Sequence, residues 1–322
     1  MAKYTFILPA YKETFMAQAL DSILCQTYQD FIILVSNDCS PESIEDIVNK
    51  YNDSRIHYRC NETNIGGKDL VLHWNLLLEL IDTEYFVVAS DDDIYESTFL
   101  EEVDRLTKKY PEVNLIRAGV RRINSKGKTT WEEFPYNEYL EGLNAEKAIY
   151  CQNYIGCIGN YAFKTEAIKK IDGFFYYEYA WFSDIFTVTT LAQHGMACTN
   201  QILFNFRLSQ SNISGGNRYR NIDRAKLDAV MRYDQQMADF CSKIIVSENA
   251  LESNLFHFLI HAYKTNVYLF FGYYAWSISL LKWFKLCNQL RHVKYFSLSA
   301  FLKQYTKALT ARKIGKLISL KL

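Results

Sequence analysis

The chain has 322 residues, 49% hydrophobic and 16% aromatic, with 36 basic and 36 acidic residues and a net charge of zero. That length and apolar share suffice for one large domain, or a domain with an appendage, around a sizeable core. Eight scattered cysteines, with no CxxC pair and no Cys/His zinc spacing, exclude a cysteine-built zinc site and read as reduced, mostly buried thiols of a cytosolic protein.

Tyr4–Leu8 reads as a strand that begins almost at once, without the basic stretch and cleavage site of a signal peptide. Phe15–Leu24 has the apolar spacing of a helix, and Phe31–Val35 is a second strand. Ser40-Pro41-Glu42 has the chemistry of a helix start, with serine at the N-cap and proline at the first helical position, for a helix running to about Tyr51. Ile56–Arg59 is a short third strand, and after Gly66-Gly67 a helix covers about Asp69–Ile81. Tyr85–Ala89 is a fourth strand, then a helix spans about Thr98–Tyr110, and Asn114–Val120 is a fifth strand. Such alternation implies right-handed βαβ units and a mainly parallel sheet. Further on, Asn124–Gly127 reads as a turn, Gly156–Gly159 as a loop, Tyr161–Lys164 as a strand and Thr165–Lys170 as a helix. Ser183–His194 is helical with Gly195 as its stop, and Ile202–Phe206 is a strand. Ser209–Gly216 reads as a mobile loop, and the chain from Asn221 onward as helical.

Val87-Val88-Ala89-Ser90-Asp91-Asp92-Asp93 stands out. A buried strand ending in three acids puts carboxylates at the carboxyl edge of the sheet, where open α/β sheets bind ligands. Acids this crowded repel one another unless a cation joins them, and hard oxygens suit Mg²⁺ or Mn²⁺, whose shells are commonly completed by phosphates.

Other segments extend this pattern. Ile7-Leu8-Pro9-Ala10-Tyr11, Ser22-Ile23-Leu24 with Gln26-Thr27-Tyr28, Phe31–Ser40, Asn64-x-Gly66 and Ser90–Asp93 occur in order. Together they resemble the family 2 glycosyltransferases over roughly residues 3–215. The resemblance implies an α/β catalytic domain of GT-A fold, Rossmann-like, over residues 1–215. It also implies a nucleotide-sugar donor, a glycan or polyprenyl-diphosphate-linked acceptor, and inversion. On it, Asp38 would read an N–H of the donor base, uracil N3–H in the family, while Pro9 and Tyr11 would flank the base. Asp92 is the first choice as metal ligand, with Asp93 supporting it; Asp91 and Asp93 would also contact the donor ribose. Asp184, in Trp181-Phe182-Ser183-Asp184, fits the general base, with Ser183 where the family has glutamate. Tyr179 and Trp181 would stack on the acceptor, and Arg207 would meet the diphosphate.

The chain also departs from the family. Asn37 and Cys39 stand where Asp and Gly are usual, and His73-Trp74-Asn75 where many members have Ala-Arg-Asn. The arginine contact to the nucleotide is therefore missing or comes from elsewhere, with Lys68 as the candidate.

The charge is unevenly spread. All 36 acids and 25 bases lie in the first 252 residues, a net of −11, whereas Ser253–Leu322 holds eleven bases and no acid. Thr265–Leu281 is an uncharged run of 17 containing Asn266 and several tyrosines, read as a buried or interfacial helix rather than a span. Residues 216–322 thus read as a helical, basic and aromatic extension suited to an anionic membrane surface. Nucleic acid is not expected, for want of a recognition motif. The whole describes a metal-dependent transferase of surface polysaccharide synthesis, peripheral at the cytoplasmic face of the cell membrane. The rivals are a sugar-1-phosphate nucleotidyltransferase, whose glycine-rich Arg/Lys loop is absent after the first strand, and a non-catalytic nucleotide-sugar-binding protein.

Overall fold

A computed structural model describes residues 2–133, 137–142, 144, 145, 149, 157–209 and isolated positions within 228–240 and 298–306. The chain divides into two compact units, Met1–Ser209 and Gln210–Leu322. The loop expected at 209–216 falls almost wholly outside the described residues, as do the uncharged run at 265–281 and nearly all of the basic extension. Among the described residues, no helix is long and apolar enough to cross a membrane.

The first unit opens with β1 (Tyr4–Ala10), α1 (Met16–Leu24), β2 (Phe31–Asn37), α2 (Ile44–Val48), β3 (Ile56–Cys60), α3 (Leu70–Leu78) and β4 (Tyr85–Val88). Next come β5 (Ile94–Tyr95), α4 (Phe99–Lys109), β6 (Leu115–Asn124), β7 (Thr129–Glu132) and β8 (Tyr139–Leu140). β9 (Tyr161–Lys164), α5 (Thr165–Lys170), α6 (Ser183–Leu191) and β10 (Met196–Leu208) follow.

One sheet has the order β3-β2-β1-β4-β9-β6-β10-β5, with β7 on β6 and β8 on β10. The run β3-β2-β1-β4 is parallel throughout, with Ile7 of β1 level with Leu34 of β2 and Val88 of β4. β6 and β10 are parallel to each other, and β9 runs antiparallel between β4 and β6. The mixed α/β architecture, with a parallel run at its centre, agrees with the α/β class expected from the sequence. Strand alternation explains the core: Tyr4, Phe6 and Leu8 of β1 join Phe31, Ile33 and Val35 of β2 and the apolar face of α4. Buried Ile7 faces the other side of the sheet.

β2 and β4 flank β1, so the order reverses there. Ligands bind open α/β sheets in the crevice beyond the strand ends at such a switch point. Pro9–Tyr11 leaves β1 into that crevice, and Ser90–Asp93 enters it from β4. Proline is tolerated at the end of this central strand because pairing with β4 stops at Ile7–Val88, two residues earlier.

One helix start differs from the expectation. α2 begins at Ile44, because the Ser40 hydroxyl donates to the Tyr11 carbonyl at 2.6 Å and accepts from the Glu42 N–H at 3.0 Å. Ser40-Pro41 is thus a turn that ties the second βα loop to the first.

Candidate active site

Asp38 follows β2 and is buried with its carboxylate tightly held. Its Oδ1 accepts from Asn61 Nδ2 and the Ile65 N–H, each at 2.9 Å, and its Oδ2 from the Gly66 N–H at 2.7 Å. One lone pair of Oδ2 remains for a ligand N–H. Gly66 packs closely there: a Cβ would lie 3.1 Å from Asp38 Oδ2 and 3.3 Å from His73 Nδ1, so both side chains would have to shift by a few tenths of an ångström. His73 lies behind Asp38, with Nε2 3.0 Å from Ser36 Oγ and 3.3 Å from Asn61 Nδ2. The Asn61 amide nitrogen can only donate, so in the neutral imidazole Nε2 is the accepting nitrogen and Nδ1 carries the proton. Burial lowers the pKa of His73, more than the Asp38 charge raises it. The family's arginine position is filled by Trp74, which packs on Phe174 with ring centres 5.4 Å apart. Lys68 is exposed just before α3.

The three acids differ in their surroundings, although all are buried. Asp91 Oδ2 accepts the Tyr11 and Lys12 N–H groups, both at 2.8 Å, and so pins the β1–α1 loop to the end of β4. That leaves the Tyr11 side chain 41% exposed at the crevice. Ser90 Oγ lies 2.9 Å from Asp92 Oδ1 and 2.6 Å from Asp93 Oδ2. Asp93 Oδ1 accepts the Arg207 N–H at 2.8 Å. Both oxygens of Asp93 are therefore engaged within the protein, while Asp92 Oδ2 and Asp91 Oδ1 have no hydrogen-bond partner among the described residues.

Burial raises the pKa of all three acids, and the charge of Asp92 adds to the effect on Asp91 and Asp93. Ser90 has one hydroxyl proton for two carboxylates and cannot satisfy both, and the acids raise one another's pKa by repulsion, which marks a shortage of positive charge. That is the deficit a hard divalent cation would fill. Among the described residues no three Asp, Glu, His or Cys side chains converge as a complete metal site. The residues present suit a cation that takes the rest of its shell from ligand oxygens.

Arg207, expected at the diphosphate, points inward and is 1% exposed. Its guanidinium reaches the Asp92 carbonyl and Gln18 and lies over the Phe15 ring. The burial and these partners argue against the expected phosphate contact. Lys12, half-buried, is a second cation beside the acids: its charge lowers the pKa values of Asp91 and Asp92, and that of Arg207 also lowers Asp92. Sequence reading missed Lys12, although it directly follows the Pro9–Tyr11 motif.

Asp184 is the second residue of α6, half-buried, with Oδ1 accepting the Ile185 N–H at 2.8 Å. Burial pushes its pKa up to about 6. Tyr177, Phe182, Phe186 and Phe175 form the adjacent aromatic cluster. The segment before α6 is strained: Tyr179, Ala180 and Phe182 have φ of 59°, 57° and 69°. Left-handed backbone at non-glycine residues costs about 1–3 kcal/mol each and clusters at functional sites. This conformation leaves Tyr179 42% exposed and Trp181 half-buried. Ser183, where the family has glutamate, is fully buried, and among the described residues its Oγ has no hydrogen-bond partner. The two acidic regions share one neighbour, since the charges of both Asp93 and Asp184 raise the pKa of buried Cys157. The crevice thus gathers Pro9, Tyr11, Asp38 and Asp91–Asp93, with Asp184 and its aromatic segment in electrostatic reach of the same thiol.

Residues 5–172 match the family described as Glycosyl transferase family 2. The chain is 33% identical over 127 residues to an uncharacterized glycosyltransferase of Rickettsia felis, covering 38% of this chain and 20% of that one. It is 30% identical over 137 residues to one of Rickettsia typhi, covering 42% of each. The matches therefore span well under half of either relative. Among solved structures, residues 1–349 of Staphylococcus aureus TarS superpose with a TM-score of 0.62 at 14% identity, over 97% of this chain and 92% of that one. The same protein in complex with UDP-GlcNAc gives 0.58 at 15% identity, with the same coverage. The mannosyltransferase PcManGT from Pyrobaculum calidifontis, in complex with GDP-Man and Mn²⁺, gives 0.52 at 16% identity, over 96% of this chain and 80% of that one.

Proposed function

The chain belongs to glycosyl transferase family 2, and we propose that it moves a sugar from a nucleotide-sugar, in our reading a UDP-sugar, to a hydroxyl of a glycan or lipid-linked acceptor. The observation that carries this reading is the placement of buried Asp38 and Asp91–Asp93 at the carboxyl ends of β2 and β4, on either side of Pro9–Tyr11 at the point where the strand order reverses; to this the reading adds Asp184, whose pKa burial raises to about 6. A donor diphosphate supplies oxygens for a cation at Asp91–Asp93, and an acceptor hydroxyl supplies a proton for Asp184.

Asp38 accepts the base N–H through its open lone pair, and Pro9 and Tyr11 flank the ring. Asp91 holds the Tyr11–Lys12 loop against the donor. Asp92 is the principal ligand of Mn²⁺ or Mg²⁺, with Asp93 fixing its place; when bound, the metal offsets the charge of the diphosphate. Lys12 adds a cation beside the phosphates, with Lys68 as a second, exposed one. Asp184 takes the acceptor proton as the acceptor oxygen bonds to the anomeric carbon and the bond to the diphosphate breaks. Attack opposite the leaving group inverts that carbon. Tyr179 and Trp181 present ring surface to the acceptor sugar.

UDP and GDP-Man are bound by the structural neighbours TarS and PcManGT, respectively. The N–H that Asp38 would read exists on both uracil and guanine; the family resemblance favours uracil. We take residues 1–215 as the catalytic domain and 216–322 as an extension that attracts an anionic membrane surface. This would place the reaction beside lipid-linked intermediates of surface polysaccharide.

A panel of UDP- and GDP-sugars, incubated with the full chain and Mn²⁺, tests the reading by release of the nucleoside diphosphate. Release from a UDP-sugar, abolished by EDTA, is expected. Turnover of a sugar 1-phosphate with UTP instead would favour the nucleotidyltransferase, and binding of a donor without any release would favour the non-catalytic alternative.

A further inference from the structure

We propose that Arg207 is a positioning residue that clamps the acid loop from behind; the link to metal and donor rests on reading Asp91–Asp93 as the donor site. Arg207 is the penultimate residue of β10. That strand pairs antiparallel with β5, which begins directly after Asp93, through Phe204–Tyr95 and Asn205–Ile94. Pairing alone brings Arg207 beside the acids. Its own N–H then donates to Asp93 Oδ1 at 2.8 Å, and its Nε to the Asp92 carbonyl at 2.7 Å. Nη2 reaches Gln18 Oε1 of α1 at 2.9 Å, and Nη1 has a long contact of 3.4 Å with the Asn124 carbonyl at the end of β6. The guanidinium carbon sits 4.2 Å from the centre of the Phe15 ring.

This geometry uses the planar fork of arginine, which lysine lacks. One side chain joins α1, β6, β10 and the acid loop while covered on one face by an aromatic ring. Two of its bonds fix the backbone of Asp92 and the carboxylate of Asp93, and so set the direction of Asp92 Oδ2. Outer partners of this kind typically alter metal affinity by about 10–100-fold.

The test uses the full-length protein, with Arg207→Lys, Gln18→Ala and Lys12→Ala. Amide hydrogen exchange of residues 90–95 reads the clamp directly, and calorimetry of UDP at graded Mn²⁺ reads its consequence. Arg207→Lys should speed that exchange and raise the Mn²⁺ needed for half-maximal UDP binding about tenfold, with UDP affinity at saturating Mn²⁺ nearly unchanged. Gln18→Ala, an exposed and milder change, should shift both in the same direction by about threefold. Lys12→Ala should do the opposite, weakening UDP at every Mn²⁺ concentration without moving the midpoint. Wild-type exchange and midpoint in both Arg207→Lys and Gln18→Ala, with weakened UDP at saturation in the former, would overturn the clamp in favour of a phosphate contact. If Arg207→Lys does not fold, Gln18→Ala decides alone. Absence of UDP binding by the wild type would instead sink the donor-site reading, and the exchange rates would still judge the clamp.

Discussion

Asp184 has one ionisable carboxylate in an aromatic surround, and its raised pKa of about 6 makes two separable predictions. A base must be ionised to accept a proton, so kcat/KM should fall tenfold per pH unit below about 6 and level off above it. Asp184→Asn should abolish transfer while leaving UDP affinity within a few-fold of wild type; transfer close to wild type would place the base elsewhere. The stability prediction runs the other way. A folded pKa raised above the unfolded value of 3.8 favours the protonated carboxyl, so the contribution is full below pH 3.8 and lost as pH rises through 6. Asp184→Asn, which never ionises, should therefore be more stable than wild type at pH 8, by roughly 1–2 kcal/mol after allowing for partial exposure, and similar to it near pH 4. Urea titrations at the two pH values check this. Asp92→Ala should lower UDP affinity at least about tenfold in Mn²⁺ and leave metal-free affinity unchanged; equal affinities of the two proteins in Mn²⁺ would refute the metal assignment. These acids were readable because each sits in a short local pattern. The inward direction of Arg207 and the nearness of Lys12 to Asp91 were not, since both depend on which strands pair and which loop is pinned.

The elements carry their own constraints at their ends. Cys39 lies between β2 and the Ser40 turn with φ of 53°, at the position where the family usually has glycine. A side chain in the left-handed region costs about 1–2 kcal/mol, and glycine returns part of that as unfolded-chain entropy. Cys39→Gly should therefore stabilise the fold by roughly 0.5–1 kcal/mol, read as a higher urea midpoint; a lower midpoint would show that the thiol packs usefully. Gly66→Ala is the converse, because its Cβ would press on Asp38 Oδ2 and His73 Nδ1. It should weaken UDP while the sheet stays folded by circular dichroism. Alternation in the first 120 residues made β1 to β4 legible, since β1, β2 and β4 each show a buried apolar run and β3, partly buried at the sheet edge, keeps only Ile56 and Tyr58 on one face. β5 has two residues and no periodicity to read, yet it is what brings β10 to the acid loop. The reversed direction of β9 is likewise a matter of tertiary pairing. The Ser40-Pro41 start signal closes a turn instead of a helix: the Ser40 hydroxyl accepts the Glu42 N–H while donating to the Tyr11 carbonyl, and α2 begins only at Ile44.

At the scale of the whole molecule, the charge is unevenly divided along the chain. Residues 1–252 carry a net of −11 and Ser253–Leu322 a net of +11. A catalytic unit with an acidic balance is repelled by an anionic bilayer, so any attraction must come from the basic extension. Each Lys or Arg near a negative leaflet contributes about 1 kcal/mol, and those facing away contribute little. The aromatic and aliphatic residues between them can enter the headgroup region, which adds a term that salt does not screen. The two contributions are separable by flotation of the full chain with vesicles. Binding should appear with anionic but not neutral lipid and weaken between 0.1 and 0.5 M salt, as the Debye length falls below about 10 Å. Replacing Lys303, Lys307, Arg312, Lys313 and Lys316 together with glutamine should abolish it while leaving UDP affinity unchanged. Binding that ignores lipid charge and salt but resists alkaline extraction would assign the attachment to the uncharged run at Thr265–Leu281 instead. No flotation with either lipid would mean that the basic surface serves another anionic partner, a polyanionic acceptor glycan among them. The same five-fold variant then distinguishes this, because its KM for such an acceptor should rise with salt-dependent loss of affinity while turnover at saturation stays put.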